Sequence, residues 1–151
     1  MRRLTGILVA GAILMLPAFS QNALAQAPTK LTFEGDSVVW MMSVKAGKEA
    51  DFEAVIAALK DVLQKMDAPE AKQQAAGWKV LKAVKPQPDG TTIYTHMISP
   101  VVPGADYGVM ANIYQVVKDP TAARALYDKY AGAFDKNILQ LQFTTAADLS
   151  K

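Results

Sequence analysis

Ser37–Val44 reads SVVWMMSV, and this stretch decides the fold. β-Branched and aromatic residues mark it as a strand. It does not alternate apolar with polar. Val38, Trp40 and Met42 share one face, and Val39 and Met41 share the other. A strand apolar on both sides expects cover on both sides.

Downstream, Ala46-Gly47 breaks the strand, and Phe52, Val55, Ile56, Leu59, Val62, Leu63 and Met66 recur at helical spacing. Glu49, Asp51 and Glu53 lie early in this helix and Lys60 and Lys65 late, which matches the helix dipole; the acids read as solvent positions. Pro69 and Gly77 bracket a short second helix. Trp78–Lys85 and Thr91–Ser99, joined by Pro-Gln-Pro-Asp-Gly, predict an antiparallel hairpin. Lys82 is out of phase with Trp78, Val80 and Val84.

A stiff loop, PVVPGA at 100–105, leads to a helix capped by Asp106 and running to about Val117. Asp119-Pro120 starts another, whose apolar stripe is Ala123, Tyr127, Tyr130, Phe134 and Ile138. Leu139–Thr144, LQLQFT, alternates as a final strand, with glutamines pointing to a wet face or an edge.

The order β-α-β-β-α-β predicts an α+β, ferredoxin-like domain over 37–145, with helices on one face of a four-stranded antiparallel sheet. The other face would be a bare apolar patch, and a second copy related by a two-fold axis is the simplest cover.

Upstream, Arg2-Arg3, an uncharged apolar run from Leu4 to Leu16, Pro17 and Ala23-Leu24-Ala25 follow the order of a secretory signal peptide over 1–25. The apolar core is too short for a comfortable membrane span. Export to the periplasm or outside the cell is therefore expected, with residues 26–36 a flexible leader and 146–151 a tail. The whole chain of 151 residues has 16 Lys plus Arg against 14 Asp plus Glu. Removing residues 1–25 takes away Arg2 and Arg3 and no acid, so the mature charge is 0. That gives no electrostatic case for nucleic acid, nor for a membrane after signal cleavage. With no cysteine, disulfides, thiol chemistry, thiolate metal sites and a lipid anchor at the cleavage point are excluded.

Three stretches, VVWMMSVKAGKEADFEAVIAAL, GWKVLKAVKPQPDGTTIYTHMIS and DPTAARALYDKYAGAF, resemble the dimeric α/β-barrel superfamily, the group of antibiotic-biosynthesis-monooxygenase-like domains. The resemblance implies two sheets paired face to face in a homodimer. It carries no catalytic signature, and such folds host enzymes and non-enzymes alike.

Chemistry-bearing residues are few. His96, the only histidine, shares a strand face with Tyr94 and Ile98; with Tyr94 it is the candidate catalytic pair, a proton acceptor in a barrel cavity. Trp40, Trp78, Tyr107 and Asn112 are candidate ligand-binding residues, with Tyr107 at a cavity rim and Tyr114 nearby. Met41-Met42 and His96-Met97 are strand neighbours that point to opposite faces, so neither pair chelates one ion and no metal or cofactor is expected. The reading is a domain that binds a small apolar or aromatic ligand or serves a structural role. Its alternatives are a cofactor-independent oxygenase or isomerase-like enzyme on a small aromatic substrate, and a hetero-dimeric interaction module.

Overall fold

The computed structural model describes residues 30–149; the signal-peptide reading lies outside them. Eight elements follow in order: β1 (Ser37–Val44), α1 (Glu49–Lys65), α2 (Pro69–Gly77), β2 (Trp78–Lys82), β3 (Thr92–Ile98), α3 (Val109–Val116), α4 (Pro120–Ala133) and β4 (Phe134–Phe143). The fold is α+β, a four-stranded antiparallel sheet in the order β2-β3-β1-β4 with four helices.

The two-sided apolarity of β1 has a direct structural counterpart. Val38, Trp40, Met42 and Val44 are buried against the helices. Across the sheet on this side run the rows Trp78–Ile98–Val38–Gln142 and Val80–His96–Trp40–Gln140. The opposite face carries the rows Lys79–Met97–Val39–Leu141 and Leu81–Thr95–Met41–Leu139. No helix covers it among the described residues: Leu81, Met97, Leu139, Leu141 and Phe143 keep between 39% and 46% of their surface.

α1 lies at the centre of the helical layer, with Phe52 and Val55 fully buried, and packs against α2, α3 and α4. α4 begins as expected, with the Asp119 carboxylate accepting from the Ala122 N–H at 2.7 Å and Pro120 in the first turn. It ends earlier than its apolar spacing predicts. Phe134 and Ile138 belong to β4, because eight of the ten residues from Phe134 to Phe143 pair along β1. A bulge between Met41 and Met42 takes Ile138 out of register. Tyr127 also leaves the expected core stripe. It is exposed beneath the Arg124 guanidinium, while Leu126 and Tyr130 turn inward.

Two further expectations are corrected. Asp106 does not cap α3, which starts at Val109 behind Gly108. Its carboxylate instead accepts from the N–H groups of Gly108 and Leu31 at 2.8 and 3.1 Å. Residues 30–36, expected as part of a flexible leader, are docked. Phe33 is buried with its ring 5.2 Å from that of Tyr107, and Tyr107 N–H donates to the Leu31 carbonyl. Gly35, at φ +77°, lets this segment pass the β4 end, where an added Cβ would stand 2.5 Å from the Phe143 carbonyl oxygen.

The two sheet edges differ. β2 bears Lys79 and Lys82, and Lys85 and Pro86 follow it; β4 carries Asp135 and Lys136 at its start and no charge over residues 137–143.

Candidate functional site

His96 lies in the middle of β3 on the helix-facing side, between Val80 and Trp40. It has no exposed surface. The imidazole stacks obliquely on Trp40 at 4.7 Å and meets the Trp78 ring at 5.6 Å and the Phe52 ring edge-on at 6.4 Å. Trp78 Nε1–H donates to His96 Nδ1 at 3.0 Å. An indole nitrogen only donates, so Nδ1 is the acceptor and the ring proton of the neutral form sits on Nε2. That Nε2–H is buried without a partner among the described residues. Burial pushes the imidazole pKa down to about 4. His96 is therefore a neutral core residue, sealed from the open sheet face where the barrel cavity was expected. Trp40 is likewise enclosed, its Nε1–H donating to Asn137 Oδ1 at 2.9 Å.

Tyr94 stands one alternation along β3 and reaches α1. Its hydroxyl donates to Glu53 Oε1 at 2.6 Å, and Lys82 Nζ bonds the same oxygen at 2.8 Å. The hydrogen bonds from Lys82 and Tyr94 hold the Glu53 carboxyl below its ordinary range. Burial and the Glu53 hydrogen bond push the Tyr94 hydroxyl up to about 12. Tyr94 is thus a protonated donor at neutral pH, committed to Glu53. This cluster also explains why Lys82 breaks the strand's polarity pattern: its parity is inward, and its chain runs out to meet Glu53. Glu49 serves similarly, accepting from Thr92 Oγ1 at 3.0 Å. Periodicity gave no sign that Glu49 and Glu53 of α1 bond to the sheet.

Between α1 and the β2 edge runs a cleft of about 250 Å³. Ile56, Leu59, Leu63, Ala75, Trp78 and Val80 supply its apolar walls, and Lys60 and Gln64 its polar groups. It continues toward Glu53, Lys82 and Tyr94, with Ile56, Lys60 and Val80 common to both stretches. Trp78 thus has two sides: it lines the cleft and holds His96 behind it.

Of the other expected ligand residues, Tyr107 is fully buried, and its hydroxyl accepts from the Val102 N–H at 2.9 Å. It pins the 101–107 loop instead of forming a rim. Asn112 is also buried; its amide donates to the carbonyls of Asp106 and Gly108 at 2.6 and 2.9 Å. Tyr114 is exposed on α3. The structure therefore brings Trp40, Trp78, Tyr94 and His96 together on the inner face, and holds Asn112 apart from them. Comparison with protein-family models, with curated proteins and with solved structures gives no match to this chain.

Proposed function

We propose that this protein is an exported ferredoxin-like domain that binds a small apolar ligand in the α1–β2 cleft and pairs with a second copy through its open sheet face. The cleft carries the functional part: an apolar groove with a tryptophan in its wall is the common form of a small-molecule site. Read from the β4 edge, the strand order is 4-1-3-2, with helices between β1 and β2 and between β3 and β4, which supports the ferredoxin-like arrangement. The exposed aliphatic side chains of the second face support the pairing. Binding is favoured over catalysis because His96 is buried and neutral and Tyr94 is committed to Glu53.

Titration with 4-phenylbutanol, followed by the indole N–H resonance of Trp78, tests the ligand site. A saturable one-to-one shift that Ala75→Phe abolishes is expected. Absence of a saturable shift in the unaltered protein, with this alcohol and with the corresponding acid, overturns the reading. Copurification with a non-identical chain would favour the hetero-dimeric alternative over self-pairing.

A further inference from the structure

We propose that the cleft's ligand is an apolar monoanion, a small aromatic or branched carboxylic acid, with its carboxylate met by Lys60 and its body against Trp78. This rests on the reading of the cleft as a ligand site and adds the ligand's charge.

Charge complementarity carries the argument. The stretch lined by Leu59, Leu63, Ala75 and Trp78 contains one charged residue, Lys60, and no carboxylate. The continuing stretch adds one acid, Glu53, but its Oε1 already takes hydrogen bonds from both Lys82 and Tyr94. Lys82 and Glu53 cancel, which leaves Lys60 as the uncompensated charge of the groove. Lys60 makes none of the ion pairs found among the described residues. It also sits where the two stretches join, so a carboxylate there has apolar wall on either side. A cationic ligand would meet like charge. A neutral one would find only Gln64 as an uncharged polar side chain in the Trp78 stretch. The volume, equal to roughly eight waters, suits one ring with a short chain.

The test compares 4-phenylbutyrate with 4-phenylbutanol, each titrated against the purified protein and its Lys60→Met variant, following the Trp78 indole N–H resonance. Lys60 is exposed, and methionine retains an apolar stem, so the variant keeps the fold. The acid is expected to bind about tenfold more tightly than the alcohol, with salt weakening the acid alone. Lys60→Met is expected to erase that preference and its salt dependence, so that acid and alcohol bind alike. Equal binding of acid and alcohol by the unaltered protein, or a preference that survives Lys60→Met, overturns the anionic ligand while the cleft stands. If neither probe moves the Trp78 signal, the cleft reading fails and this inference fails with it.

Discussion

His96 has one nitrogen bonded and one bare, and both lie out of water. Its depressed pKa fixes the direction of a stability effect. Above pH 6.5 the ring is neutral in the folded and unfolded chain, and protonation favours neither. As pH falls from 6.5 to about 4, the unfolded chain takes up a proton that the folded core refuses, so stability declines. The full loss, present below about pH 4, is about 3 kcal/mol. His96→Phe removes it. Urea unfolding at pH 7 and pH 4 should show a smaller acid loss in the variant by about that amount; carboxylates that weaken on acidification do so in both proteins and cancel. At pH 7 the variant should lie within about 1 kcal/mol of the parent, since one bare N–H, on His96, is exchanged for another, on Trp78. Strand parity was enough to group His96 with Tyr94 and Ile98. It could not reveal the Trp78 bond, because that contact depends on the β2–β3 register and on which face the helices take.

At the level of elements, local chemistry was the readable part. Pro69 and Gly77 bound α2, Asp-Gly turns the β2–β3 hairpin, and Asp119-Pro120 opens α4, because each acts through its own backbone neighbours. The α4–β4 boundary was not readable. Phe134 and Ile138 continue a helical spacing, and only pairing with the distant β1 overrides it. α4 fully buries Ala133 alone, so its start depends on the cap. Asp119→Ala should cost about 1 kcal/mol in chemical denaturation, and Asp119→Asn much less. The docking of residues 30–36 was equally hidden, since its apolar residues are only Leu31 and Phe33, with Thr32 between them. Gly35→Ala adds a clash with the Phe143 carbonyl to an unfavourable φ and should destabilise by more than about 1 kcal/mol, measured by the same unfolding curves.

Across the whole molecule, β1 foretold two apolar sheet faces, and four helices cover one of them. The other presents Met97, Leu139 and Leu141 at the surface. Sedimentation equilibrium should find a dimer for the unaltered protein and a monomer for Leu141→Lys. Since Leu141 is already 45% exposed, the substitution should cost the isolated fold under about 1 kcal/mol. A dimer that survives the lysine would remove the open face from the account of pairing. The unlike edges of the sheet bear on how far any assembly can grow. An uncharged run of edge strand, such as residues 137–143 of β4, accepts another strand, and lysines deter one. If two copies join β4 to β4, both receptive edges are used up and the outer margins are the lysine-bearing β2 strands. Such a sheet has a built-in stop along its strand order: it ends at eight strands, and edge-to-edge growth has no uncharged margin on which to continue.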